Sequence, residues 1–216
     1  AEPYQLDAIK IMLQIGDRRY EGNILGNVAV GYMELGRLAE CRQCYEDALL
    51  INRECNNPRV EAMAMSNLAT FHHNYGELDT ALELYQTALA SHRRLGERRW
   101  ECITCGNLGD LLFARGQAAA AENYFLRAIG LGDQLMPGAA GAFRGSLAML
   151  RKAQGNTKEA FTLIIKAERQ LRGLNLLELG KVLCKKAQLE HETGTTAIAK
   201  KNLNEAESIA IKLALK

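Results

Sequence analysis

The sequence predicts an all-α solenoid, on three observations: a glycine that returns at a fixed interval, small and large apolar residues that return with it, and helical spacing on both sides. The glycines are Gly36, Gly76, Gly116, Gly155 and Gly194, spaced 40, 40, 39 and 39 residues apart. Seven residues before them stand Ala29, Ala69, Gly109, Ala148 and Ala187; five after stand Cys41, Ala81, Ala121, Ala160 and Ala199. Nine after come Tyr45, Tyr85, Phe125, Ile164 and Leu203, and twelve after come Ala48, Ala88, Ala128, Ala167 and Ala206. Self-similarity at such a period marks stacked supersecondary units, each burying its apolar face on its neighbours.

The elements follow from the spacing within one unit. Met65, Leu68, Ala69 and His72 lie at i, i+3, i+4 and i+7, one face of a first helix. The stretch from Asn74 to Glu77 breaks the pattern around Gly76, a residue suited to the left-handed backbone just past a helix end. A second helix follows, with Leu78, Ala81, Leu82, Tyr85, Ala88 and Leu89 inward. Small residues let paired helices approach, and the large one fills the space between units. Extended over the chain, the pattern predicts about 11 antiparallel helices, at 1–15, 21–35, 38–55, 58–74, 78–95, 98–115, 118–134, 138–154, 157–172, 176–192 and 196–214. Pro58 fits the first turn of its helix, where no N–H is needed.

The array reads as one domain, 1–216: a half repeat at 1–16, then full repeats at 17–56, 57–96, 97–135, 136–174 and 175–216. Residues 15–21 (IGDRRYE) resemble residues 95–101 (LGERRWE) two periods later, so residues 1–16 read as a second helix lacking its first. The expectation is a piece of a longer protein, or a first helix that packs on a second copy and allows self-association. The lysine-rich last helix (Lys200, Lys201, Lys212, Lys216) could cap the other end.

Composition excludes several classes. The formal net charge of +2 points to neither nucleic acid nor an acidic surface. No apolar run nears the roughly 18 residues of a membrane span. Six cysteines in a chain able to bury its own core read as reduced thiols of a cytoplasmic protein. The pairs Cys41/Cys44 and Cys102/Cys105 have the spacing of zinc ligands, but each lies within a predicted helix of a different unit, so core thiols are the better reading. His72-His73 has no ligand-spaced partner and reads as stacking or groove lining. With no phosphate loop, nucleophile set or carboxylate pair, the chain is expected to be no enzyme and to need no cofactor or metal.

The residues just described resemble the tetratricopeptide repeat (TPR) family, clearest at Asn67-Leu68-Ala69, Gly76-Glu77-Leu78, Ala81, Tyr85 and Ala88, and again at Asn107-Leu108-Gly109, Gly116, Ala121, Phe125 and Ala128. The usual unit is about 34 residues; this longer unit is similar to those of spindle-orientation adaptors, kinesin light chains and bacterial signalling proteins. The resemblance implies a right-handed superhelix whose first helices line a concave groove that grips a peptide. The fourth and fifth units depart from the pattern, with Arg144, Arg151 and Lys186 at apolar slots.

Helical phase then proposes the groove residues. Nine before each glycine stand Asn27, Asn67, Asn107, Ser146 and Lys185. A carboxamide both donates and accepts, so an asparagine row can bond a peptide backbone without reading its side chains; the alternative is an asparagine that bridges helices. Gly26, Ser66, Gly106 and Gly145, one position earlier, either open the groove floor or serve close helix contact. Thr70, His73, Asp110, Phe113 and Lys152 would supply selectivity. Lys152, Lys181 and Lys185 would receive an acidic segment or form a salt-bridged face. The arginine pairs Arg18/Arg19 and Arg98/Arg99 would hold phosphate or an acidic partner, or bond Glu21, Glu61 or Glu101. The function expected is non-catalytic binding of a protein or peptide segment in the groove; the alternative is a sensing domain of a larger bacterial signalling protein or transcription regulator.

Overall fold

The computed structural model describes residues 18–214, apart from the side chain of Glu34. These residues form ten helices: α1 (Arg18–Glu34), α2 (Leu38–Glu54), α3 (Pro58–Asn74), α4 (Leu78–Arg94), α5 (Arg98–Ala114), α6 (Ala118–Leu135), α7 (Pro137–Ala153), α8 (Thr157–Leu171), α9 (Leu176–Glu192) and α10 (Thr196–Ala214). The fold is an all-α solenoid of paired helices. The predicted helices fall within three residues of these bounds; the one expected at 1–15 lies outside the described residues.

The turns confirm why glycine recurs. All five periodic glycines have positive φ, and Gly76, at 83°, stands for the rest. Its N–H donates to the carbonyl of His73, and the next N–H, of Glu77, donates to that of His72, closing the helix end. A side chain at this φ would meet its own carbonyl, so the slot tolerates little else. Between repeats the same geometry falls to Gly96 and, in an earlier copy, to Asn56 with φ 50°.

The chain divides into two compact units, Ala1–Thr104 and Cys105–Lys216, with the boundary inside α5. In the first, the slots seven before and five and nine after the glycines form the core: Ala29, Cys41, Tyr45, Ala69, Ala81 and Tyr85 are all at most 2% exposed. In the second, Ala121, Phe125, Ala148, Ala160 and Ile164 are fully buried in the same slots. Gly109 replaces alanine there because a Cβ would stand 2.6 Å from the Phe125 ring.

The last repeat departs from expectation. Leu203 holds the slot of Tyr85 and Phe125, yet is 49% exposed. It lines an apolar cavity of about 510 Å³ with Leu177, Ala206, Ile209 and Leu213. The lysines of α10 therefore do not make its outer face a polar cap; apolar residues of α9 and α10 remain accessible between them.

Candidate functional site

The first unit contains a cavity of about 370 Å³. From α1 come Gly22, Asn23, Gly26 and Asn27; from α3 come Arg59, Val60, Met63, Ala64 and Asn67; α5 adds Trp100. Two predicted ladder residues, Asn27 and Asn67, thus line the same space. The 40-residue period places them at one phase of successive first helices. Asn27 is exposed and Asn67 half-buried. Among the described residues neither carboxamide makes a hydrogen bond. A carboxamide left to water beside an apolar wall is set up to exchange that water for a ligand amide at little cost.

The floor owes its openness to Gly26. A Cβ placed there would meet nothing within 4 Å. Its counterparts behave differently. Ser66 is buried, and its hydroxyl lies 3.0 Å from Nε2 of His92 and 3.1 Å from Oγ1 of Thr104. A Cβ on Gly106 would stand 2.0 Å from Phe143, and one on Gly145 2.8 Å from Val182. The small-residue slot opens a groove at Gly26 and serves close packing at Gly106 and Gly145.

Trp100 forms the aromatic wall, and its position is fixed from behind. Its indole stacks on the His92 imidazole, with centroids 5.8 Å apart and planes 18° from parallel. His92 is fully buried on α4, and its Nδ1 has no hydrogen-bond partner among the described residues. Burial pushes its pKa down, against the opposing pull of Glu97 and Glu101. A neutral imidazole held by Ser66 therefore backs the indole. Sequence reasoning missed this network: Trp100 stood out only as the counterpart of Tyr20 two periods earlier, and the contact with His92 depends on pairing between helices.

Other predicted selectivity residues already have partners. The Thr70 hydroxyl donates to the Ser66 carbonyl at 3.0 Å and lies 2.9 Å from the Tyr85 hydroxyl, so it ties α3 to α4. His73 packs edge-on against Tyr85, at 6.4 Å between centroids. His72, read as stacking or groove lining, is buried with Nδ1 2.7 Å from a Glu77 carboxylate oxygen, at the turn that ends α3.

In the second unit Asn107, Asp110 and Phe113 lie half-buried on α5. The ladder slots of α7 and α9, Ser146 and Lys185, bond each other at 3.0 Å. Desolvation lowers the Lys185 pKa, while Asp110 and Glu178 work to hold its proton. Lys152 pairs with Glu192 at 2.5 Å and Lys181 with Glu178 at 2.7 Å. Buried Arg144 bonds Asp133 and Gln170, Arg151 bonds Glu122, and Lys186 bonds Glu168. Lys152 and Lys181 thus stand in salt bridges while Lys185 bonds a hydroxyl, and the departures at Arg144, Arg151 and Lys186 are each matched by a carboxylate.

The helix-start arginines are mostly held. Arg18 bonds Glu21 and Glu54, and Arg19 donates to the Cys55 carbonyl. Glu61 and Glu101 instead pair with Arg53 and Arg93, eight residues before each. Cys41, Cys102 and Cys105 are buried core residues, and burial pushes the Cys41 thiol up to about 11. Among the described residues no three His, Cys, Asp or Glu side chains converge on a metal-sized site. No described helix is long and apolar enough to cross a membrane.

Paired helices at a 39–40-residue period, closed by glycine turns, define a helical-repeat protein. The sequence matches the family described as the MalT-like TPR region over residues 17–212, and the chain belongs to that family. TPR repeats serve as protein–protein interaction scaffolds and are in general non-catalytic. No curated protein matches the sequence. Among solved structures, BtubC from P. vanneervenii aligns with a TM-score of 0.77 at 16% identity, over 98% of this chain and 90% of that one. A Rap protein complexed with Competence and Sporulation Factor aligns at 0.73 and 17% identity, over 98% of this chain and 70% of that one. Pseudomonas aeruginosa pilF aligns at 0.67 and 20% identity, over 88% and 77%. These likenesses carry the fold.

Proposed function

We propose that the chain is a non-catalytic scaffold that binds a peptide segment of a partner protein in its first-helix groove, with Asn27 and Asn67 bonding the ligand backbone. One observation carries the reading: two carboxamides one repeat apart, without partners of their own among the described residues, line one cavity beside an open glycine. Asn107 holds the same slot on α5 and is assigned the same role from the repeat alone. His73, Asp110 and Phe113 contribute selectivity through their accessible edges. Thr70, Lys152 and Lys185 act through their partners, shaping the walls rather than meeting the ligand first.

The test is affinity capture from the source lysate on wild type and on an Asn27→Ala/Asn67→Ala/Asn107→Ala variant with unchanged circular dichroism. Backbone bonds of this kind contribute about 0.5–1.5 kcal/mol each, so the variant is expected to bind the wild-type partner roughly tenfold to a thousandfold more weakly. Equal capture of the same partner by both proteins would contradict the groove reading.

A second reading, an effector-sensing domain of a larger signalling protein, is favoured by the solved Rap complex, whose fold this chain shares. It predicts that the ligand changes the relation between repeats, measurable as a change in scattering radius on binding. An unchanged radius at saturation would count against it.

A further inference from the structure

The groove of the first unit is half polar ladder and half apolar wall, and the wall specifies what the ladder alone does not. Val60, Met63 and Ala64 of α3 face the cavity, with the Trp100 indole beside them. The indole is not a loose surface ring. It is stacked on His92, which is buried and held by Ser66, so its orientation is set before any ligand arrives. A rigid aromatic surface gives contact area with little rotamer entropy to lose. The charge pattern narrows the occupant further. Of the residues lining the cavity Arg59 alone is charged, and it is paired with Glu97 at 2.8 Å. Among the described residues no carboxylate lines the cavity to receive a cation. The volume, about 370 Å³, is near the lower end of the roughly 300–1,000 Å³ of ordinary ligand pockets. It suits one large side chain with its flanking backbone.

We propose that the peptide bound by this groove is anchored by one uncharged apolar side chain, aliphatic or aromatic, seated between Trp100, Met63 and Val60, while Asn27 and Asn67 bond the backbone on either side of it. The proposal rests on the groove reading above. It adds a selectivity rule for that site: the carboxamides accept any sequence, and the Trp100 wall requires one apolar residue at a fixed place.

The chain contains a single tryptophan, so its fluorescence reports on this wall alone. The experiment is selection of a random twelve-residue peptide library displayed on phage against the whole chain, followed by fluorescence titration with the winning synthetic peptides. The expected result is that selected peptides share one Leu, Ile, Met, Phe or Trp position, and that binding shifts Trp100 emission to shorter wavelength. Replacing that residue by Gly should weaken binding roughly tenfold to a hundredfold, and replacing it by Lys should weaken it more. Peptides that bind without a shared apolar position, or without moving Trp100 emission, would overturn the anchor. The Asn27→Ala/Asn67→Ala variant separates the two readings. If it loses the peptides while the Gly replacement binds normally, the groove stands and the anchor falls. If it keeps them at full affinity, or if no peptide is enriched over an unrelated helical repeat protein, the groove reading fails and the anchor with it.

Discussion

The same repeat slot is used in opposite ways on α1 and α3 of the first unit and on α7 and α9 of the second. In the first, the slot nine residues before the turn glycine holds Asn27 and Asn67, which face a cavity and bond nothing among the described residues. In the second, it holds Asn107 on α5 and then, on α7 and α9, Ser146 and Lys185, which bond each other. The neighbouring slot repeats the contrast. Gly26 faces open space, whereas Gly145 lies against Val182. A repeat fixes where a side chain points; whether that direction leads to a ligand or to the next helix depends on what the neighbour supplies. Between α7 and α9 the neighbour supplies a lysine stem and large apolar residues, and the slot is sealed by the protein itself.

The contrast can be broken most severely at the glycines. Gly106→Ala drives a Cβ into the Phe143 ring and should cost about 1–3 kcal/mol in urea unfolding. Gly26→Ala has open space to enter and should instead stabilise by up to about 1 kcal/mol, through helix propensity. Equal effects at the two sites would erase the distinction drawn between them.

Ser146→Ala comes next. It leaves the desolvated Lys185 amine without its hydroxyl partner and should cost about 1–2 kcal/mol. Asn67→Ala, at the matching slot, removes a group with no internal partner and should stay within about 0.5 kcal/mol of wild type. Lys185 also gives the second unit a pH signature. Its folded pKa lies below the unfolded value of about 10.4. The folded state therefore binds this proton less tightly, and stability should rise as pH climbs through the folded pKa toward 10.4, then level off. Lys185→Met should flatten that rise.

His92 gives the first unit a different signature, in the acid range. Its pKa is lowered by burial, so near neutrality it is uncharged in both states and contributes nothing. As pH falls below about 6.5 the unfolded chain takes up a proton that the folded chain resists, and stability drops until the folded pKa is passed. Denaturant melts from pH 7.5 to 5 should show this loss in wild type and a smaller one in His92→Gln. The smallest expected effect is on Trp100 emission over the same range, which should change only as His92 titrates behind the indole.

Most of the fold was legible because its signals are local. Helical spacing needs only side chains three and four apart, and a glycine at positive φ marks each turn. Asn56 shows the limit: it adopts the same left-handed backbone as Gly96 without the residue that advertises it. The groove was legible in part. Asn27 and Asn67 follow from phase, which is a property of one helix. Thr70 was read as groove-facing, but its hydroxyl is taken by Ser66 and Tyr85, a choice set by how closely α3 and α4 pair. Trp100 and His92 were missed for the same reason, since their stack joins two helices and has no sequence period of its own. Leu203 shows the reverse error. Its slot is buried wherever a later helix covers it, and among the described residues none follows α10.

The central claim is that the carboxamides of Asn27 and Asn67 are the ligand contacts of the first unit. Two-dimensional ¹H–¹⁵N spectra resolve side-chain amides directly, and Asn→Ser variants at each position assign them. Titration with a selected library peptide should move the Asn27 and Asn67 side-chain signals to saturation together, with the binding constant given by Trp100 fluorescence. Side-chain signals of both residues that stay fixed at saturation, while signals elsewhere in the chain move, would contradict the account.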